Sequence, residues 1–147
     1  MIYLGADHRG YNLKERIKIW LREWEFDYED LGAFRLDPND DYPIFASAVA
    51  REIEAKGGKG VVICGSGAGV DIVANKFDGV RSVLAMTRDQ VSAAVRDDNV
   101  NVLAIASDYI QEFESKSLVE TFLRTEFSGE TRFIRRLNEI DKIEENN

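Results

Sequence analysis

The chain has 147 residues, with 27 acidic against 19 basic side chains and a formal charge of −8; the length suits one domain, residues 1–147, around one sizeable core. The acidic balance argues against nonspecific nucleic-acid or anionic-membrane binding, both of which need basic surface. One cysteine allows no internal disulfide, the N-terminus has no basic stretch ahead of an apolar run, and no segment approaches the ~20 apolar residues of a membrane helix, so a cytoplasmic, soluble protein is expected.

Ile2 to Ala6 is predicted as a strand running into the polar turn Asp7-His8-Arg9-Gly10. Tyr11 to Trp24 is predicted helical, because Leu13, Ile17, Trp20, Leu21 and Trp24 recur at spacings of three and four. Phe26 to Leu31 is a more polar strand, suited to a sheet edge. Gly32 to Asp41 contains Pro38 and several acids and amides, and is predicted as a solvated loop; its acids lack calcium-loop spacing. Pro43 then opens a helix over 44–55, since proline fits the first turn.

Gly57-Gly58 ends that helix, and 60–63 is predicted as the third strand. Strands over 80–86 and 101–106 follow, with helices over 70–77, 88–96 and 111–124. In the 111–124 helix Phe113, Leu118, Phe122 and Leu123 are expected to point inward. A charged helix over 131–144 closes the chain. Strands alternating with helices through short connections predict an open, doubly wound (Rossmann-like) three-layer α/β sandwich on a five-stranded parallel sheet. Ligands in such sheets bind beyond the carboxyl ends of the strands. Asp7-His8, Cys64 to Gly69 and the 96–99 region are expected there, near one another or near a partner's copy.

The segment Val-Val-Ile-Cys-Gly-Ser-Gly-Ala-Gly-Val, 61–70, organises the rest. An apolar run breaks into Gly65, Gly67 and Gly69, which lets backbone come close to a ligand. Free N–H groups at the following helix start would favour an anion. Cys64 is a candidate base or nucleophile beside them, and Ser66 a candidate proton donor. The turn lacks the Gly-Lys-Ser/Thr of a P-loop, so by itself it is equally a tight turn beside an inert thiol.

His8, the only histidine, follows the first strand, where Asp7 could fix its tautomer. One Cys and one His are too few soft ligands for a metal site. Arg132 and Arg136, four apart, share a helix face and could grip a phosphate; pairing with Glu130 or Glu139 is the plainer alternative.

Taken together, Asp7-His8 with Gly10, Asp41-Tyr42-Pro43, Ile63-Cys64-Gly65-Ser66-Gly67-Ala68-Gly69, Ala74-Asn75-Lys76-Phe77, Asn101-Val102-Leu103-Ala104 and the segment 129–136 resemble the ribose-5-phosphate isomerase B and galactose-6-phosphate isomerase subunit family. The motifs occur in order along nearly the full chain. The resemblance implies a cofactor-free aldose–ketose isomerase working on a sugar phosphate through a cis-enediolate. It implies Cys64 as base, Ser66 as its helper in proton transfer, and the Gly65, Gly67, Ala68 and Gly69 turn as anion hole. A thiol is mostly protonated at neutral pH, so the amides and helix start would have to favour the thiolate. Asp7 and His8 would hold sugar hydroxyls and assist ring opening or phosphate binding, with Arg9, Tyr42 and Asp98 completing the substrate set.

In that family the site lies between subunits. Arg132 and Arg136 match the arginines that reach a neighbour's phosphate from the C-terminal helix, about 131–145, which implies a homodimer or homotetramer. Two departures stand out. The family usually has His-Asn ahead of the Asn-Val-Leu strand, the histidine being the ring-opening proton donor; here Asp97 and Asp98 stand there, and an ordinary carboxylate cannot donate a proton at pH 7. Asp108 stands where the family commonly has a phosphate-binding arginine, leaving Arg9 or Arg96 as the candidate substitute. The alternative reading is therefore a non-catalytic or altered-specificity sugar-phosphate binder. A thiol redox role for Cys64 ranks last, because no second cysteine could resolve an oxidised intermediate.

Overall fold

The computed structural model describes residues 1–147. In chain order the elements are β1 (Ile2–Ala6), α1 (Tyr11–Glu23), β2 (Tyr28–Asp30), α2 (Tyr42–Lys56), β3 (Lys59–Cys64), α3 (Ala68–Ala74), β4 (Ser82–Leu84), α4 (Arg88–Asp98), β5 (Val102–Ala106), α5 (Glu112–Arg124) and α6 (Thr131–Glu145). The strands form one parallel sheet in the order β2-β1-β3-β5-β4. No helix is long and apolar enough to cross a membrane.

Alternation along the strands divides the interior in two, since successive side chains leave opposite faces of a sheet. Leu4, Val61, Ile63, Leu103 and Ile105 pack against Ile17, Trp20 and Leu21 of α1, Val91 and Val95 of α4, and Leu118, Val119 and Phe122 of α5. Tyr3, Val62, Cys64, Val102 and Ala104 pack on the other face against Ala46, Val49, Ala50 and Ile53 of α2 and Val70 and Ala74 of α3. The central strands β1, β3 and β5 are buried throughout or nearly so, as their continuous apolar runs require. The edges are short: β2 and β4 have three residues each, against predicted runs of six and seven, because an edge strand is held from one side only.

Two expectations fail for reasons of phase. Phe113 is 71% exposed, and the inward face of α5 is Ser115, Leu118, Val119 and Phe122. These follow the 3.6-residue period from Ser115, whose hydroxyl donates to the Gln111 carbonyl at 3.2 Å and so tolerates burial. On α1 the inward face includes a charge: Lys14 is fully buried, held by Asp30 of β2. The glycine-turn helix also starts and ends earlier than predicted, at 68 and 74 instead of 70 and 77.

Candidate active site

β3 ends at Cys64, and Gly65-Ser66-Gly67 carries the chain into α3 at the carboxyl edge of the sheet. Gly67 caps α3 with φ of 71°, a left-handed conformation costly for any residue with a Cβ. The N–H groups of Gly65, Ser66, Gly67, Gly69 and Val70 donate to no other group of the chain; Ala68 N–H donates to Ser66 Oγ at 3.3 Å. The turn thus presents a run of unpaired donors, more than a bare helix start supplies. Tyr42, the first residue of α2, lies across Gly69: a Cβ there would meet the ring carbon Cζ at 2.5 Å.

Cys64 lies on the α2–α3 face of the sheet and is 4% exposed. Surface cavities of about 240 to 440 Å3 are lined by other residues. The thiol is therefore part of the packed layer, covered apart from a small residual opening. Ser66 is exposed.

The turn after β1 supplies the next groups. Asp7, 5% exposed, accepts from the Arg9 and Gly10 N–H groups at 2.9 and 3.1 Å through Oδ1, which shapes the turn into α1. His8 is held by Asp40: one oxygen of that carboxylate accepts from the His8 backbone N–H at 2.9 Å and lies 2.8 Å from Nδ1. The Asp40 side chain is only 9% exposed, so it is not the solvated loop acid that composition predicts. Its hydrogen bond raises the His8 pKa above the ordinary value; desolvation opposes this, the charges of Asp7 and Asp40 add to it, and Arg9 works against it. Asp7, His8 and Asp40 bring potential ligand atoms within 4.8 Å of one another. The hydrogen bonds at Asp7 Oδ1 and His8 Nδ1 already engage two of these groups, so the arrangement reads as a carboxylate–imidazole pair.

Asp108 follows β5 and sits directly over the turn. Its Oδ2 is 3.3 Å from Arg9 Nη2, and a Cβ on Gly65 would meet Asp108 Oδ2 at 2.6 Å and Arg9 Cδ at 2.8 Å. The anion in this position is thus neutralised by Arg9, one of the two arginines considered above. Arg96 is not near it.

Asp97 and Asp98 are not brought to this edge within one chain. α4 runs back antiparallel to the strands, so its last turn lies beside the start of β5, where Asn101 N–H donates to the Arg81 carbonyl and Gly60 N–H to Asn101. That is the amino edge, opposite Cys64. α6 packs on α4 there: Ser128 N–H donates to the Arg96 carbonyl, and the Glu144 carboxylate accepts from Gly79 N–H at 3.0 Å. Arg132 pairs with Glu130 at 3.1 Å, and the Arg132 and Arg136 guanidiniums lie 4.7 and 5.6 Å from the Phe133 ring. Asp40 is the site residue that sequence reasoning missed; its one sequence signal was its place just ahead of Asp41-Tyr42-Pro43.

Residues 2–140 match the family model described as Ribose/Galactose Isomerase. A ribose-5-phosphate isomerase B of Mycobacterium tuberculosis is 37% identical over 144 residues, 97% of this chain and 89% of that protein. Among solved structures, ribose-5-phosphate isomerase B from Mycoplasma genitalium with bound ribulose 5-phosphate superposes with a TM-score of 0.95 at 36% identity, covering 99% of this chain and 97% of the other. The type B ribose 5-phosphate isomerase from Trypanosoma cruzi gives 0.95 at 32% identity, covering 99% of both chains. Glycine turn, carboxyl-edge imidazole and likeness along nearly the entire length lead to one conclusion: the chain belongs to the ribose/galactose isomerase family.

Proposed function

We propose that this chain, a single domain over residues 1–147, interconverts an aldose phosphate and a ketose phosphate of the ribose 5-phosphate/ribulose 5-phosphate type. Membership of the family supports isomerisation, and the superposing M. genitalium enzyme binds ribulose 5-phosphate. The observation that carries the chemistry is the junction of a thiol and free amides, Cys64 followed by the unpaired N–H groups of Gly65, Ser66, Gly67, Gly69 and Val70.

The reaction needs a base for the proton on C2 of the open-chain aldose and donors for the oxygen that gains charge. Cys64, as thiolate, takes the C2 proton. The bonding pair forms the C1–C2 double bond, and the carbonyl pair moves onto O1, giving an enediolate that the turn amides hold. The Ser66 hydroxyl relays a proton between O1 and O2. Return of the proton from sulfur to C1 closes the ketose, so the chemistry consumes no cofactor. Tyr42 and Arg9 border the turn and contact the sugar.

Arg132 and Arg136 cannot be explained by their own chain's glycine turn, because α6 packs on α4 beside the amino edge. In the proposed assembly they reach the phosphate held at a second copy's turn, and two copies are the minimal working unit. The test is turnover of ribose 5-phosphate by wild type and Cys64→Ala. A loss of ~10²-fold or more is expected for removal of the base; equal rates remove Cys64 from that role, and a wild type inactive on every aldose phosphate removes the isomerase reading.

A further inference from the structure

The direction of the first turn amides is set from the neighbouring strand. At the end of β3 the carbonyls first alternate sides. Ile63 accepts from Asp7 N–H, on the β1 side, at 3.3 Å, and Cys64 accepts from Ser107 N–H, on the β5 side, at 3.0 Å. Gly65 breaks the alternation: its carbonyl also turns to the β5 side, where Asp108 N–H donates at 3.0 Å. A trans peptide sets each N–H opposite the carbonyl of the residue before it. The Gly65 and Ser66 N–H groups therefore both point away from β5. Successive amides turned to one side make an anion-binding concavity, and neither of these two donates within the chain.

Ser107 ties this arrangement to the turn after β1. Its N–H holds the Cys64 carbonyl, while its hydroxyl lies 2.8 Å from the Arg9 carbonyl and 3.1 Å from the Cys64 carbonyl. A serine hydroxyl has one proton to give, and the shorter contact is the one to Arg9. It is the only hydrogen bond that the Arg9 carbonyl accepts. One residue thus joins three strand ends: the turn after β1, the Cys64–Gly65 peptide and the segment leaving β5. The Arg9 side chain is held separately, by Asp108 at 3.3 Å.

We propose, resting on the isomerase reading above, that Ser107 is a positioning residue for the reaction. Its N–H fixes the plane of the Cys64–Gly65 peptide and so aims the Gly65 amide. Its hydroxyl holds the turn after β1 at a set distance from that amide. Charge collects on the substrate oxygen only as the C2 proton leaves, so donors held in place beforehand act on the transition state more than on bound substrate. Loss of the hydroxyl therefore slows the chemical step. Substrate affinity stays, because the Arg9 guanidinium keeps its own partner in Asp108.

The test is Ser107→Ala, which removes the hydroxyl and keeps both backbone hydrogen bonds; Ser107→Gly, also without the hydroxyl, takes its place if Ser107→Ala does not fold. On ribose 5-phosphate, kcat is expected to fall ~10-fold while KM stays within ~2-fold of wild type. Calorimetry with a phosphorylated four-carbon hydroxamate, whose planar pair of oxygens copies the enediolate, is expected to show Kd rising by a similar ~10-fold. A merely structural hydroxyl lowers the thermal midpoint but leaves kcat and hydroxamate affinity as in wild type, and that result overturns the proposal. A rise in KM at unchanged kcat overturns it too, since the hydroxyl would then serve ground-state binding through Arg9. Both results leave the isomerase reading standing as long as wild type is active; a wild type that turns over no aldose phosphate overturns both.

Discussion

The buried pair between α1 and β2 allows a stability prediction to be worked through. Lys14 has no exposed side-chain surface, and its three donors are accounted for by Asp30 Oδ1 at 2.8 Å, Asp30 Oδ2 at 2.7 Å and Glu15 Oε1 at 3.2 Å. Asp30 also accepts from Lys18 Nζ and from Gly32 N–H, each at 2.9 Å. Asp30→Ala removes two of the three acceptors of a buried ammonium, and breaking one side of such a pair costs about 3–5 kcal/mol. Against a total of about 5–15 kcal/mol for a domain, that is a large fraction. Exchanging both partners for apolar groups costs far less, because no unpaired charge is left behind. Urea unfolding at pH 7 should therefore show Asp30→Ala and Lys14→Met each well below wild type, and Lys14→Met/Asp30→Leu within about 2 kcal/mol of it.

The pH dependence has a definite sign. Burial alone would raise the Asp30 pKa, but the hydrogen bonds from Lys14, Gly32 and Lys18 outweigh it and leave it below the ordinary value. This contribution is fully present above the unfolded pKa and is lost as pH falls through the folded one. Asp30→Ala should lack that part of the acid destabilisation. A single-mutant cost under about 1 kcal/mol, or a double mutant that loses the sum of the singles, refutes the reasoning.

Gly10→Ala should cost about 1–3 kcal/mol in urea unfolding, because the new Cβ would meet the Ile63 carbonyl oxygen at 2.7 Å and Ile63 Cγ2 at 2.6 Å. Gly67→Ala combines a left-handed φ with a clash at 2.5 Å on Leu84 Cδ1, and should lower both the thermal midpoint and activity. Arg132→Ala/Arg136→Ala should leave the thermal midpoint nearly unchanged, since both side chains are exposed, while kcat/KM falls ~10- to 100-fold for loss of charge-assisted phosphate contacts. Mixing that variant with Cys64→Ala tests the shared site: if subunits exchange, one competent site per mixed dimer restores activity, and a mixture no better than its parts argues against sharing. Asp108→Asn frees Arg9 for an anionic substrate and should lower KM for ribose 5-phosphate; an unchanged KM means that the Arg9–Asp108 pair over Gly65 does not compete with substrate.

What could be read from the sequence is what neighbouring residues decide among themselves. The apolar runs of β1, β3 and β5, the period of α1, Pro43 at the start of α2 and the Gly65–Gly69 turn depend on spacings of a few residues. They were enough for the fold class and for placing Cys64 and the glycine turn together at the end of β3. Edge lengths, the phase of α5 and the burial of Lys14 were decided by contact across elements, where a polar residue with a partner can take an inward position that hydropathy assigns to its neighbour.

The site divides the same way. The placing of Cys64 beside free amides follows from adjacency in the chain. The His8–Asp40 pair joins residues 32 apart, and the Arg9–Asp108 pair joins the ends of two different strands. Asp97 lies far from Cys64 for an equally tertiary reason: the crossover helix α4 must return to the amino edge before β5 can run parallel to β3. Hydropathy and spacing specify what each segment becomes, whereas the order in which segments pair in the sheet decides which charges meet.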